Sequence, residues 1–145
     1  MKLLFTFFLL SASFLINWEP NFDNAKKIAK ENHKLILLNF SGSDWCGPCI
    51  ATRKNYFENP VFTTMANQDL VLVNADFPRK KANKLTEEVV KQNEALAEKY
   101  NKEGSFPFTL LLDFDGKVLK TWRGKPEVVV EKFVEEIKTI CSKNK

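Results

Sequence analysis

The stretch SGSDWCGPCI, residues 41–50, places two cysteines three positions apart, directly after a tryptophan. Three explanations fit such a pair: a redox couple, half of a zinc site, or a structural disulfide. Zinc needs four ligands, and besides Cys46 and Cys49 the chain offers only Cys141 and His33 as further cysteine or histidine ligands. A disulfide across so short a loop removes little entropy from the unfolded chain. We therefore favour a redox couple.

The position of the two cysteines relative to a helix gives them different predicted roles. An apolar strand over residues 35–40 ends just before the motif. A helix is expected to begin at Cys46 and continue through Tyr56, with an interruption or bend near residues 59–60. Unpaired N–H groups at a helix start stabilise a thiolate and can lower a cysteine pKa from about 8.5 to between about 3.5 and 7.5. Cys46 is therefore the predicted nucleophile. Cys49, one turn further in and shielded by Cys46, is the predicted resolving thiol.

Three neighbours of the cysteines are candidate substrate-binding residues. Gly47 lets the backbone of a partner approach closely, and Pro48 stiffens the turn without removing a needed N–H group. Trp45 would shield the thiol and offer a flat surface to a substrate chain, with a purely structural role in the core as the alternative. The sequence therefore predicts substrate contacts around the cysteine pair.

Composition and charge are those of a single globular domain. The chain has 145 residues, of which 44% are hydrophobic and 28% charged, and its formal net charge is +4. Its positive residues are spread along the chain, and the one cluster, Arg79, Lys80, Lys81 and Lys84, is typical of a solvated loop. Nucleic-acid binding needs a concentrated basic face, so we expect no nucleic-acid partner.

The N-terminus is predicted to be an export signal. Lys2 supplies a positive start, residues 3–10 are almost wholly apolar, and small residues follow at 11–13. We predict a signal peptide over residues 1–13 and one domain over residues 14–145. The apolar stretch is shorter than the roughly 20 residues that span a bilayer, so an uncleaved membrane anchor is the alternative. The predicted location is the periplasm or the exterior of the cell.

Helical and extended patterns alternate along the rest of the chain. Helices are predicted over residues 20–32, over residues 86–100 and from Pro126 onward. Further strands are predicted over residues 70–75, 108–113 and 117–122. This order predicts an α/β fold with a mixed central sheet of four to five strands, flanked by helices on both faces.

The motif and the order of these elements resemble the thioredoxin family. The run Trp45-Cys46-Gly47-Pro48-Cys49 is the thioredoxin active-site sequence, and the similarity covers about residues 18–140. The resemblance implies that Pro107 follows a cis peptide bond facing the active site, and that the Phe106 backbone pairs with a bound substrate strand. The stretch YFENPVF, residues 56–62, is similar to the exported thioredoxin-like subgroup.

The resemblance implies a thiol-disulfide oxidoreductase. Such a protein would exchange disulfides with protein substrates, here with reduction as the expected direction, and would need neither a metal nor another cofactor. A reducing role outside the cytoplasm requires an electron donor in the membrane. We expect the protein to be a monomer. The alternatives are a thioredoxin-fold binding or chaperone module with little redox turnover and, third, a zinc or copper carrier.

A buried pair of residues departs from the thioredoxin pattern. Thioredoxins usually keep a buried acid, paired with a lysine, in the strand before the motif, and Asn39 and Leu72 stand in those places here. An amide can hold a water molecule but cannot accept a proton at neutral pH. Activation of Cys49 must therefore rely on water or on another group, and Asp44 is the nearest acid in the sequence.

Overall fold

A computed structural model describes residues 16–144, so the predicted signal peptide over residues 1–13 lies outside the described residues. The strands are β1 (Leu35–Ser41), β2 (Leu70–Asp76), β3 (Phe108–Leu112) and β4 (Val118–Arg123). The α-helices are α1 (Phe22–Glu31), α2 (Gly47–Thr52), α3 (Pro60–Asp69), α4 (Glu87–Tyr100) and α5 (Val130–Lys143). A π-helical turn (Arg53–Phe57) continues α2, and a 3₁₀ turn (Lys81–Asn83) precedes α4.

The strands form one mixed sheet. Within residues 16–144 it has four strands in the order β2-β1-β3-β4. Strand β1 runs parallel to β2 and antiparallel to β3, and β3 forms an antiparallel hairpin with β4. Every residue of β1 is buried, because helices cover both faces of the sheet. The predicted α/β architecture is therefore confirmed.

Two apolar clusters lie on opposite faces of the sheet. On one face α3, α5 and the π-helical turn pack on alternate residues of β1, such as Leu35 and Leu37. On the other face α1 and α4 pack on the intervening residues, such as Ile36 and Leu38. The third cysteine, Cys141, is 1% exposed within the first cluster. Packing on both faces fixes β1, and with it the start of the motif that follows its carboxyl end.

The starts of α2 and α5 differ from the prediction. The helix expected to begin at Cys46 begins at Gly47, with Cys46 as its N-cap. The last helix begins at Val130 rather than at Pro126. The Tyr56 hydroxyl, which donates to one acceptor at a time, lies 2.6 Å from the Val128 carbonyl oxygen and 2.8 Å from the Pro126 carbonyl oxygen. A helix that began at Pro126 would need that oxygen for the N–H group four residues on, so the tyrosine favours a later start.

Helix α3 is absent from the sequence-based prediction. The Asn59–Pro60 pair predicts only an interruption of the preceding helix, yet residues 60–69 form a helix of their own. The Asn59 side chain accepts a hydrogen bond from the Val61 N–H at 2.9 Å, and Pro60 occupies the first turn. An N-cap asparagine followed by proline is a helix-start signal, so the sequence did contain the information.

Candidate active site

Cys46 and Cys49 are joined by a disulfide bond. Their sulfur atoms are 2.12 Å apart and their Cα atoms 5.2 Å apart. Cys46 caps α2, because its Sγ accepts a hydrogen bond from the Cys49 N–H at 3.2 Å. Pro48 lies in the first turn of the same helix, where its missing N–H group costs no helical hydrogen bond. The structure thus has the oxidised form of the pair.

Exposure does not separate the two cysteines as the sequence predicts. The sequence places Cys46 within reach of a partner and Cys49 behind it, but each residue is 5% exposed. Their surroundings do differ. Cys46 precedes the exposed Gly47 and Pro48 at the helix start, whereas Cys49 borders a partly open cavity that several polar side chains line. The expectation of a more exposed Cys46 is therefore wrong for the oxidised form, and the assignment of roles depends on position along α2.

An aromatic rim, defined as Trp45, Phe77 and Phe106, adjoins the pair. The Trp45 side chain, 36% exposed, donates from its indole N–H to the Phe77 carbonyl oxygen at 2.7 Å. The Trp45 and Phe106 rings meet edge to face with centroids 5.6 Å apart, and Phe106 lies at the same distance from Phe77. The Arg79 guanidinium carbon lies 3.8 Å from the Trp45 ring centroid. The structure brings the predicted Trp45 and Phe106 together and adds Phe77 and Arg79.

The predicted cis peptide bond is confirmed between Phe106 and Pro107, in the segment that contacts Trp45. Pro107 is buried, and its carbonyl oxygen accepts a hydrogen bond from the Gly124 N–H at 2.9 Å. The backbone N–H and carbonyl groups of Phe106 make no hydrogen bond within residues 16–144. Unpaired backbone groups beside a partly exposed side chain are available to an additional strand.

A polar cavity of about 230 Å³ borders Cys49. It is lined by Trp18, Asn39, Ser41, Ser43, Cys49, Ile50, Arg53, Phe57 and Asn74. Asn39, in the expected place of the buried acid, is 5% exposed, and its neighbour on the parallel strand is Asn74 rather than Leu72. A water molecule takes up about 30 Å³ of liquid volume, so a polar cavity of this size has room for several.

Hydrogen bonds connect this cavity to Asp76 at the end of β2. Asn39 donates to Asn74 Oδ1 at 2.8 Å and accepts from the Thr109 hydroxyl at 2.9 Å. The Ser41 hydroxyl lies 3.1 Å from Asn74 Oδ1 and 3.0 Å from Asp76 Oδ1, so it can donate to either oxygen. Sequence reasoning missed Asn74 and Asp76, because only the register of the parallel strands places them beside the end of β1.

Asp44, the acid nearest to the motif in sequence, anchors a loop. Its carboxylate accepts hydrogen bonds at 2.9 Å from the N–H groups of Arg79 and Lys80 and from the Asn83 side chain. These hydrogen bonds, that from Arg79 foremost, hold the pKa of the Asp44 carboxyl below its usual value. The ionised carboxylate therefore ties residues 79–83 to the segment that precedes Cys46.

The described part of the chain has neither a cluster of metal ligands nor a membrane-spanning helix. Between residues 16 and 144 no three His, Cys, Asp or Glu side chains are grouped so that they could hold a metal ion. In the same range no helix combines the length and apolar character needed to cross a bilayer. The zinc alternative therefore has no ligand set among these residues.

Comparison with known proteins assigns the chain to a family. A family model described as a thioredoxin-like domain matches residues 22–137, so the chain belongs to the thioredoxin-like family. The chain is 36% identical over 104 residues to disulfide bond reductase DsbH of Chlamydia pneumoniae, covering 72% of this chain and 60% of that protein. It is 32% identical over 100 residues to thioredoxin-related protein DsbJ of the same organism, covering 69% of this chain and 28% of that protein.

The aligned part thus amounts to less than two thirds of the length of either relative. A solved structure described as DsbH oxidoreductase superposes with a TM-score of 0.82 at 29% identity, covering 98% of this chain and 95% of that chain. These findings confirm the predicted thioredoxin-like fold and the predicted family.

Proposed function

We propose that this protein is an exported thiol-disulfide oxidoreductase that reduces disulfide bonds in other proteins. The observation that carries the proposal is the Cys46–Cys49 disulfide at the start of α2, beside an aromatic rim that includes Phe106 with its unpaired backbone groups. The relative DsbH is named a disulfide bond reductase, which supports the reducing direction. Export is supported by the sequence of residues 1–13.

The reaction moves two electrons from the reduced pair to the substrate. The Cys46 thiolate attacks one sulfur of a substrate disulfide, which forms a mixed disulfide and releases the other substrate sulfur as a thiolate. The Cys49 thiolate then attacks Cys46 Sγ, which closes the Cys46–Cys49 bond and releases the second substrate thiolate. A dithiol donor, which we place in the membrane, returns two electrons to the pair and completes the cycle.

The substrate chain lies across the aromatic rim in this proposal. Its extended backbone pairs with the N–H and carbonyl groups of Phe106, next to the buried Pro107. The exposed face of Trp45 contacts the substrate from the other side. Gly47 leaves room for a close backbone approach, since no atom lies within 4 Å of the position a Cβ would take there. Pro48 is exposed beside it.

The proton of Cys49 leaves through the polar cavity in this proposal. Asn39 can orient water there, but its amide cannot accept the proton. Water in the cavity takes the proton from Cys49, and the Ser41 hydroxyl connects that water to the Asp76 carboxylate. The cavity thereby replaces the buried acid that most thioredoxins keep in the strand before the motif.

Replacing Asn39 by aspartate tests this route. Burial raises the pKa of the new carboxyl group, and its charged form would face Asn74 Oδ1, which now accepts from the Asn39 amide at 2.8 Å. We expect a loss of about 1–3 kcal/mol of unfolding free energy at pH 7. The loss should shrink at acid pH, because the protonated carboxyl can donate to Asn74. Urea unfolding at both pH values measures the difference.

Turnover of the same variant measures the contribution of cavity water. We expect the rate of insulin reduction to change by less than about threefold. A gain above about tenfold would show that removal of the Cys49 proton limits the rate in the wild type, which lacks the buried acid. Asn74→Asp is the matched control on the same cavity. Because Asn74 Oδ1 already accepts from Asn39 and Ser41, a carboxylate keeps both hydrogen bonds, and the stability loss should be smaller.

The reduction potential of the Cys46–Cys49 pair tests the direction of electron flow. Thioredoxin has a reduction potential of about −270 mV, and strongly oxidising proteins with this fold have potentials of about −120 mV. We expect a value below about −230 mV. Equilibration in glutathione buffers of defined composition, followed by alkylation of free thiols, measures the reduction potential. A value near the oxidising end would overturn the reducing role and leave the oxidoreductase class in place.

A binding or chaperone module is the second candidate function. It is favoured by the low exposure of both cysteines and by the amide in place of the buried acid. The aromatic rim would then hold an unfolded segment while the disulfide stays closed. Covalent trapping with a Cys49→Ala variant separates the two candidates, because a module without turnover forms no mixed disulfide.

A further inference from the structure

A positively charged loop lies beside the active site. The cationic loop, residues 77–85, lies between β2 and α4 and carries Arg79, Lys80, Lys81 and Lys84, all of them exposed. Along residues 16–144 none of these four forms an ion pair with a carboxylate within 4.0 Å. The sequence indicates no more than a solvated loop, but the structure leaves its charges available to a partner.

The cationic loop is held against the aromatic rim. Asp44, two residues before Cys46, accepts a hydrogen bond from the backbone N–H of Arg79 and offsets part of the positive charge of the loop. Trp45 donates to the carbonyl oxygen of Phe77 at 2.7 Å, and the Arg79 guanidinium lies over the Trp45 ring. A substrate that reaches Cys46 across Trp45 therefore meets this loop.

A pocket of about 290 Å³ opens beside the cationic loop. Phe77, Pro78, Leu85 and Val90 form its apolar wall, and the four cations of the loop line it as well, together with one acid, Asp76. The Asp76 carboxylate already accepts hydrogen bonds from two serines. The volume is at the lower end of the roughly 300–1,000 Å³ that is typical of small-molecule pockets, which suits one large side chain. An apolar wall framed by positive charges selects a segment that is both apolar and acidic.

Asn93 gives this pocket an unpaired hydrogen-bond acceptor. The residue lines the pocket and is 2% exposed. Its Nδ2 donates to the Asp76 carbonyl oxygen at 2.9 Å, but its Oδ1 has no hydrogen-bond partner in the described part of the chain. A buried acceptor without a donor is unfavourable, and a backbone N–H group of a bound segment would satisfy it.

We infer that the cationic loop and its pocket bind an acidic segment of the client protein, with one apolar client side chain in the pocket. The inference rests on the proposed function, since it states which disulfides the Cys46–Cys49 pair reduces fastest. Opposite charge on the client accelerates encounter, and salt screens the effect. A nucleic acid fits less well, because four cations around an apolar pocket do not form the extended basic face that phosphates need.

Two disulfide-bonded peptides that differ only in flanking charge test this inference. One carries Glu-Leu-Glu beside its cysteine and the other Lys-Leu-Lys. We expect kcat/KM for the glutamate peptide to be about tenfold higher at about 0.01 M salt, and the ratio to approach one as the salt concentration rises. In a Lys81→Glu/Lys84→Glu variant the ratio should fall to one or below, because the charge that attracts the glutamates is reversed.

The matched control is Lys27→Glu/Lys138→Glu. It makes the same change in net charge at two exposed lysines that are outside the pocket and form no ion pair within 4.0 Å in the described range. This variant should keep the tenfold ratio. Equal rates for the two peptides with the wild type, or the same fall in the control, would overturn the inference. Failure of the wild type to reduce neutral bis(2-hydroxyethyl) disulfide would instead contradict the proposed function.

A binding measurement separates the site from the chemistry. The glutamate peptide with serine in place of cysteine is titrated into oxidised, nitrogen-15-labelled wild-type protein, which cannot react with it. We expect the largest NMR shift changes at the amides of residues 77–85 and at the side-chain amide of Asn93. Changes confined to other residues would overturn the inference. Binding of a single-stranded DNA oligomer to the loop, without binding of the peptide, would do so as well.

Discussion

Replacing Cys46 by serine is expected to abolish disulfide reduction, a loss of about three orders of magnitude or more that leaves only the uncatalysed rate. A serine hydroxyl stays protonated at neutral pH and forms no mixed disulfide. The fold should persist, because serine is a good N-cap and Cys46 already caps α2 through its side chain. Insulin reduction with dithiothreitol as electron donor, followed by turbidity, measures the loss.

The complementary variant, Cys49→Ala, should accumulate covalent intermediates. It keeps the attacking sulfur of Cys46 but lacks the sulfur that closes the internal bond, so mixed disulfides with client proteins persist until a reductant is added. Cys141→Ala is the matched control, because Cys141 is 1% exposed on the face of α5 that packs into the core. It should reduce insulin at the wild-type rate. Insulin reduction at only the uncatalysed rate by both the wild type and Cys46→Ser, together with no trapping by Cys49→Ala, would favour the binding module.

The second large effect is expected from Gly42→Ala, in the turn before the motif. A Cβ at Gly42 would lie within 3.0 Å of three atoms of the Trp45 indole, closer than real Cβ contacts. The indole must therefore leave its place, which breaks its hydrogen bond to the Phe77 carbonyl and its contact with Phe106. Overpacking of this kind costs about 1–3 kcal/mol of unfolding free energy.

Displacement of Trp45 should also lower kcat/KM for a protein disulfide by about tenfold to hundredfold, because the substrate loses part of its positioning surface. Urea unfolding and insulin reduction measure the two effects. Gly47→Ala is the steric control for stability, since open space surrounds the position of its Cβ and the residue begins α2. Wild-type stability in Gly42→Ala would show that the indole does not depend on this glycine.

Local patterns were sufficient to predict the framework of the site. The continuous apolar run of β1, the spacing of Cys46 and Cys49 and the turn of the β3–β4 hairpin each depend on a few neighbouring residues. No local pattern predicted the cis bond before Pro107, and that prediction followed instead from the resemblance to thioredoxins. The start of α5 was placed too early because a side chain distant in sequence, Tyr56, binds the carbonyl group of Pro126.

The polar surroundings of the site could not be predicted from local patterns. Asn74 reaches the cavity, and Asp76 reaches Ser41, through the register of β1 with β2, which pairs residues more than thirty positions apart. The role of Asp44 follows in the same way from its hydrogen bonds to a distant loop. Asn93 lies among the buried residues of α4, where the helical pattern predicts only apolar side chains. Each of these contacts needs the tertiary structure.

The Asp44 carboxylate holds the cationic loop beside Cys46 through hydrogen bonds from Arg79 and Lys80. These hydrogen bonds determine how acidity affects the client binding that we infer. Hydrogen bonds keep the pKa of this carboxyl below its usual value, so its stabilising contribution is fully present above the usual pKa. It is lost only as the pH falls through the lowered pKa. Mild acidity therefore leaves the loop attached beside Cys46. Client glutamates, with ordinary pKa values near about 4.3, lose their charge first, so selectivity in acid weakens on the client side.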